Sequence, residues 1–296
     1  MYICVSAGEV MKFYNIADML LSVSGYMDET TVSRMSGYET ELSGRAPDVE
    51  IDIELRDKPI EIPKDNCLIV STNEMWHLSD SVLSYYLCFP DLDGAAVCVD
   101  CNPDFSKIHI CLYDVKAQLG YNDTCYLFNT MSNILHYIAL NHGRLVFHSS
   151  SVCAEGMGVA FSASSGVGKS THTGLWLENI PGCSYINDDT PIISISEGRV
   201  MISGSPFAGT SGINSNVTVP LKAIVFVTRG EENKVVPVDT VTAFVRIMSQ
   251  LKKPVNDIMS DKLISTLNLI LKSVPCYFME CNISPEAALT AYKAIF

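Results

Sequence analysis

The sequence predicts an α/β protein, α+β taken as a whole, in which a smaller strand-rich domain precedes an α/β core. Three observations predict it. Short apolar runs between turn signals fill the chain up to about residue 125, a run with helical periodicity follows at 128–140, and strands then alternate with helices to the end. The boundary is placed between residues 127 and 128, giving a strand-rich N-terminal domain over 1–127 and a second domain over 128–296.

In the first domain VEIDIEL (49–55), NCLIV (66–70), AAVCVDC (95–101) and KIHICLY (107–113) read as strands, because β-branched and aliphatic residues cluster between turn formers. FNTMSNILHYIAL at 128–140 has apolar residues at helical spacing and meets Asn141 and Gly143, a stop signal. RLVFHSSSV and GMGVAFS read as two paired strands around the turn AEG, with His148 on the first of them. CSYIN, PIISIS and RVMISGS read as strands, LKAIVFVT as a buried strand, and 239–251, 257–272 and 285–295 as helices.

Composition narrows the function classes. With 48% hydrophobic and 18% charged residues the chain has the balance of a packed protein, so disorder is excluded. A net charge of -13 repels polyanions, which argues against nucleic acid and anionic membrane as partners. No stretch approaches the roughly 18–20 apolar residues of a membrane helix, and the start lacks a basic leader, so a soluble cytoplasmic protein is expected. The eleven cysteines form no framework and read as reduced core residues. Cys98 and Cys101 have the spacing of half a zinc site, but no second pair follows and a strand points residues three apart to opposite faces. The acidic runs at Asp28 and Glu29 and at 48–54 read as solvated faces.

The chemistry concentrates in GVAFSASSGVGKSTHTGLWL (158–177): a strand, a Ser/Gly loop, then a helix opening at Lys169 or Ser170. Loop and first-turn N–H groups in such a turn point at an anion, and the helix dipole adds positive charge there. Ser164, Ser165, Gly166, Val167, Gly168, Lys169, Ser170 and Thr171 are the expected phosphate-binding residues, with ATP as the ligand. Lys169 would reach the β- and γ-phosphates and Ser170 would ligate Mg²⁺. Ala163 stands where the G-x-x-x-x-G-K-[ST] pattern has its first glycine. Downstream, CSYIN ends in Asn187, Asp188 and Asp189, adjacent carboxylates suited to one base and one Mg²⁺ ligand. The competing reading is an Asn-Asp-Asp turn before Pro191. His148 is placed to touch a phosphate or the metal, or to be a hydrogen-bonded structural residue. His172 and Thr173 read either as contacts to a nucleotide edge or as solvated surface.

HSSSV, SSGVGKST and INDD, in that order, resemble the catalytic half of HPr kinase/phosphorylase and, more distantly, ATP-dependent phosphoenolpyruvate carboxykinase. GKSTHTGLW, INDD, GSPFAGTSG and VPLKAIVF are similar to the HPr-kinase-like proteins of bacterial peptide-modification clusters, across residues 144–250. The resemblance implies a phosphoenolpyruvate-carboxykinase-like P-loop core and a kinase, a phosphotransferase with an alcohol acceptor. It further implies Asp188 as the base, Asp189 and Ser170 on Mg²⁺, Lys169 on the phosphates and His148 near them.

Two departures keep a second reading open: Ala163 in the loop, and a segment FAGTSGINSN without the Lys that the peptide-cluster relatives carry. The first reading is an ATP- and Mg²⁺-dependent kinase acting on a Ser or Thr hydroxyl of a peptide or protein, or on a small molecule. The second is a nucleotide-binding scaffold with weak or no turnover. A carboxykinase-like activity is disfavoured, because Arg144, Arg199, Arg229 and Arg246 match no dicarboxylate-gripping motif. The loop at 204–216 reads as a mobile cover or acceptor-binding edge. Oligomeric state stays open, a homo-oligomer included.

Overall fold

The computed structural model describes residues 11–42, 44–65, 67–71, 73–89, 92–114, 126–164 and 166–296. The chain divides into two compact units, Met1–Ile138 and Ala139–Phe296, both mixing helix and sheet.

The first unit is built on strands β1 (Lys12–Ile16), β2 (Met19–Gly25), β3 (Glu39–Thr40), β4 (Val49–Arg56), β5 (Cys67–Ile69), β6 (Glu74–Leu78), β7 (Leu83–Cys88), β8 (Ala95–Cys101) and β9 (Lys107–Tyr113). They form one sheet in the order β3-β1-β2-β4-β9-β8-β7-β6-β5. The pairs β2/β4 and β4/β9 are parallel and the others antiparallel. Strict alternation along β4 buries Val49, Ile51 and Ile53 and exposes Glu50, Asp52 and Glu54, the two-residue period of a half-buried strand. Trp76, Tyr85, Phe105 and Tyr137 pack ring against ring, with Trp76 and Tyr137 centroids 5.1 Å apart. Tyr137 comes from helix α2 (Tyr126–Asn141). The short helix α1 (Glu29–Met35) starts at Asp28, whose carboxylate accepts the Thr31 N–H at 2.8 Å. One of the runs read as a solvated face is thus a helix cap, with a carboxylate on otherwise orphaned donors.

The second unit contains β10 (Leu145–Val146), β11 (Ser150–Ala154), β12 (Met157–Ser162), α3 (Lys169–Asn179), β13 (Ser184–Asn187), β14 (Ile192–Ser196), β15 (Arg199–Ser203) and β16 (Thr218–Arg229). Then follow β17 (Lys234–Pro237), α4 (Thr240–Met248), α5 (Asp257–Ser273), β18 (Cys276–Cys281) and α6 (Pro285–Ile295). The sheet runs β10-β14-β15-β16-β12-β11-β13, with β18 joined to β16 and β17 to β18. The long β16 holds this together: its first residues pair with β15, and its later ones run parallel to both β12 and β18. Phe161, Trp176, Val225 and Met279 are buried in one core against Ala287, Ala288 and Ala291 of α6, whose small side chains allow close approach. Asp239 and Asn256 cap α4 and α5 by accepting the Thr242 and Met259 N–H groups, each at 2.9 Å.

RLVFHSSSV is not one strand. Leu145 and Val146 pair with β14, whereas Ser150 onward pairs with β12 and β13, so the chain changes partners at 147–149. His148 therefore lies between two strands and not on the strand paired with β12. Cys98 and Cys101 both lie in β8, where the pleat points them to opposite faces, so they do not form a chelating pair. The nine described cysteines are free thiols. Among the described residues no helix is long and apolar enough to cross a membrane.

Candidate functional site

Strand direction assembles the site. β12 runs parallel to β16, β16 parallel to β18, and β11 is antiparallel to both β12 and β13. Hence β12, β13, β16 and β18 all point the same way. Their C-terminal ends share one edge with the N-terminal end of β11, the edge where α/β sheets take ligands. That edge gathers the loop after β12, Asp188 and Asp189 after β13, Arg229 at the end of β16, and His148 and Ser150 at the start of β11.

The loop turns through Gly166 (φ 75°) and Gly168 (φ 120°), left-handed angles that glycine adopts without a Cβ penalty. Ala163 is not among the positive-φ residues, so its methyl group causes no strain there. It is buried in the core beneath the loop instead. Helix α3 opens at Lys169 behind Gly168, and no side chain caps its first turn. Its leading N–H groups and dipole therefore face the loop side with no cap from the N-cap residue itself. Ser164, Gly166, Ser170 and Thr171 are exposed and Val167, Gly168 and Lys169 half-buried, so the whole described loop borders solvent. Ser165 lies outside the described residues.

The Lys169 ammonium lies 3.1 Å from the Ala163 carbonyl and 3.1 Å from His148 Nε2. Lysine only donates, so His148 Nε2 must accept, which puts the ring proton on Nδ1. Nδ1 is 3.2 Å from Asp189 Oδ1, so Lys169, His148 and Asp189 form one directed chain. Burial holds the Lys169 pKa below its usual value, opposed by the charges of Asp189 and Asp188.

The two carboxylates are held separately. Asp188 is buried, and its Oδ1 accepts the Ser150 hydroxyl at 2.6 Å; that hydroxyl is 2.9 Å from Thr173 Oγ1 on α3. Asp189 is one-third exposed and faces His148. The turn is made by their neighbour: Asn187 Oδ1 accepts the Asp189 and Thr190 N–H groups at 2.8 and 2.7 Å, and its amide donates to the Ser205 carbonyl at 2.9 Å. The Asn-Asp-Asp turn is real, but Asn187 shapes it and leaves both carboxylates turned toward other groups.

Several residues sit elsewhere than the sequence indicated. His172 and Thr173 are both buried and not solvated surface, while His172 still lines the cleft beside Arg229. His172 Nε2 accepts the Trp176 indole N–H at 3.2 Å and its ring packs edge-on against Phe161, and burial pulls its pKa down to about 4. The loop at 204–216 is no free cover over its first half: 204–208 are buried, and Ser205 and Phe207 accept hydrogen bonds from Asn187 and Thr190. Exposure begins at Gly209 and covers 209–213 and Asn216; at Gly209 a Cβ would come within 3.1 Å of the Asp189 carboxyl carbon. Arg229, which matched no motif, reaches back to the loop after β12, with Nε 3.0 Å from the Val167 carbonyl and Nη2 2.5 Å from that of Gly166. Only the parallel pairing of β16 with β12 brings it there, across more than sixty residues of sequence. Beside it lies a cleft of about 420 Å³ lined by Gly168, Thr171, Leu175, Val227 and Asn282 among others.

No protein-family model matches the chain, and no curated protein matches it. Among solved structures it is similar to the HPr(Ser) kinase/phosphatase from Coxiella burnetii, at 14% identity over 50% of this chain and 95% of that one, with a TM-score of 0.32. At that TM-score the likeness is distant, and the functional reading rests on this chain's own residues.

Proposed function

We propose that the second domain, residues 128–296, is a cytoplasmic kinase that transfers a phosphoryl group from ATP to a hydroxyl. The acceptor is a Ser or Thr of a peptide or protein, or a small molecule. The observation that carries the proposal is the meeting, on one strand edge, of an uncapped helix N-terminus, Lys169 and two separately held carboxylates. Each part suits one task in phosphoryl transfer, where positioning and charge neutralisation do most of the work. The motif order HSSSV, SSGVGKST and INDD supports the same reading.

In this reading the N–H groups of 164–171 bind the phosphates, and the cleft beside Arg229 takes the nucleoside. Lys169 leaves the Ala163 carbonyl to meet the β- and γ-phosphates. The Ser170 hydroxyl and the Asp189 carboxylate are hard oxygen donors and fit Mg²⁺, which when bound would neutralise charge on the transferring group. Asp188 takes the acceptor's proton as the acceptor oxygen bonds to the γ-phosphorus and the bridging oxygen departs with ADP. Ser150 fixes one oxygen of Asp188, and Thr173 fixes Ser150 against the helix. His148 keeps Asp189 and Lys169 in a constant relation.

The test is calorimetric titration with ATP, with and without Mg²⁺, on wild type and Lys169→Ala, with ADP formation followed in the presence of Ser- and Thr-containing peptides. Mg²⁺-dependent binding that weakens roughly 10- to 100-fold in the variant, with ADP formed once an acceptor is present, is the expected result. Binding without ADP under any acceptor would favour the scaffold reading. Equal affinity in both proteins, or none in either, would remove the phosphate site itself.

A further inference from the structure

The first unit carries a second cluster of chemistry, separate from the loop after β12, on the sheet face turned away from Ile51 and Ile110, where Glu54 is exposed, His109 half-buried and Cys111 buried beside Tyr86 and Cys98. In the parallel ladder of β4 and β9, Asp52 stands opposite His109 and Glu54 opposite Cys111. The pleat sends these four side chains to one face, while Ile51, Ile53, Ile108 and Ile110 go to the other and are buried. One ligand atom each from Glu54, His109 and Cys111 fall within 4.8 Å of one another. His109 Nε2 is 3.4 Å from Glu54 Oε2, and Cys111 Sγ is 4.0 Å from the same oxygen.

Those spacings match a metal polyhedron. Zinc bonds of about 2.0–2.3 Å in a tetrahedron give edges of about 3.3–3.8 Å, so the His109–Glu54 edge already has tetrahedral length and the wider edges close with side-chain shifts of about 1 Å. His109 is already oriented for it: Nδ1 lies 3.1 Å from Asp52 Oδ2, which turns Nε2 toward Glu54. A carboxylate behind a histidine is the outer-shell arrangement that fixes the ring and strengthens its donor nitrogen. The local charge is favourable as well. Asp52 and Glu54 are joined on the neighbouring strand by Asp100, which stands opposite His109 in the ladder of β8 and β9. Against these carboxylates stands the Arg56 guanidinium, 2.8 Å from Glu54 and half exposed.

We propose that this face binds Zn²⁺ through Glu54, His109 and Cys111, with the fourth position open to water. A nitrogen, a thiolate and a carboxylate suit a borderline-soft divalent ion and do not suit Mg²⁺ or Ca²⁺. The Cys111 thiol releases its proton to solvent as the sulfur binds, and Arg56 swings away from Glu54. Cys98 stands opposite Cys111 in β8 but hydrogen-bonds toward Asp100, and is not a ligand.

Cobalt(II) titration of the full reduced chain tests this, because the thiolate-to-cobalt charge-transfer band reports sulfur ligation and stays dark for cobalt held only by oxygen at the phosphate loop. The band should appear at one equivalent, be displaced by Zn²⁺, vanish in Cys111→Ser, weaken at least tenfold in affinity in His109→Ala, and survive in Cys98→Ser. Arg56→Gln should raise the affinity several-fold, a gain that mere loss of structure cannot produce. Absence of the band in wild type, its persistence in Cys111→Ser, or its loss in Cys98→Ser would each overturn the assignment.

Discussion

In the second unit the titratable groups gather at one end of the strands, whereas in the first they cover one face of a sheet, and the two placements select opposite ligands. At the end of β12 the ladder stops and a helix begins, so backbone N–H groups with no internal partner are available beside Lys169. Such an edge favours an anion. On the face formed by β4, β9 and β8 the ladders bond the backbone, and only side chains remain to act. There Asp52, Glu54 and Asp100 outnumber Arg56, and a cation is favoured. The difference teaches that a sheet's ends and faces offer different chemistry before any side chain is chosen.

The largest expected effect breaks one site and leaves the other intact. Asp188→Asn keeps a carbonyl oxygen for the Ser150 hydroxyl, so the turn should fold as before, but it removes the proposed proton acceptor. Steady-state turnover should fall by about 10²- to 10⁴-fold, the usual contribution of a general base. ATP affinity by calorimetry and cobalt binding on the first unit should stay unchanged. Retained turnover would sink the role given to Asp188, and a simultaneous loss of cobalt binding would show that the two units are not independent.

The two sites also differ in how far the sequence reveals them. The proposed phosphate loop is contiguous, so Gly166, Gly168, Lys169 and Ser170 can be picked out by order alone. Asp188 and Asp189 were legible because they end a clear apolar strand. By contrast Glu54 and His109 are 55 positions apart and meet only through the register of a parallel ladder, which no local pattern encodes. Arg229 escaped notice for the same reason. The hairpin of β1 and β2 was missed because Ala17 (φ 50°) and Asp18 (φ 62°) make its turn in place of the usual Asn-Gly signal. The strands β17, between β16 and α4, and β18, between α5 and α6, went unread because runs of four and six residues carry too little periodicity to stand out. The solvated-surface reading of His172 fails because Trp176 and Phe161 supply it with partners inside.

That buried His172 gives a middle-sized effect that should belong to the second unit alone. Its pKa is about 4 in the folded state against about 6.5 when exposed, so the unfolded chain binds the extra proton more readily between those values. The stabilisation is complete above about pH 6.5 and is lost as pH falls toward about 4, by up to roughly 3 kcal/mol. Urea denaturation across that window should show the slope in wild type, and His172→Gln should flatten it. An unchanged slope in the variant would move the acid sensitivity to other groups.

The smallest expected effect concerns whether the strand end depends on residue identity or on backbone shape. Ala163 occupies a glycine position of the phosphate-loop pattern, yet it has no left-handed φ, and its methyl group belongs to the core with Phe161 and Trp176. Ala163→Gly should therefore gain nothing at the phosphates. It should lose about 1–2 kcal/mol of stability, from one buried methyl group and the freer unfolded chain. ATP affinity should change less than about twofold, since the N–H groups proposed to meet the phosphates follow Ala163, where the described backbone turns through Gly166 and Gly168. A tenfold tightening of ATP in the glycine variant would show that the loop as it stands is held away from its binding shape. An unchanged affinity with lowered stability would mean that the anion site is made by the turn through Gly166 and Gly168 and the opening of α3, with Ala163 serving the core beneath it.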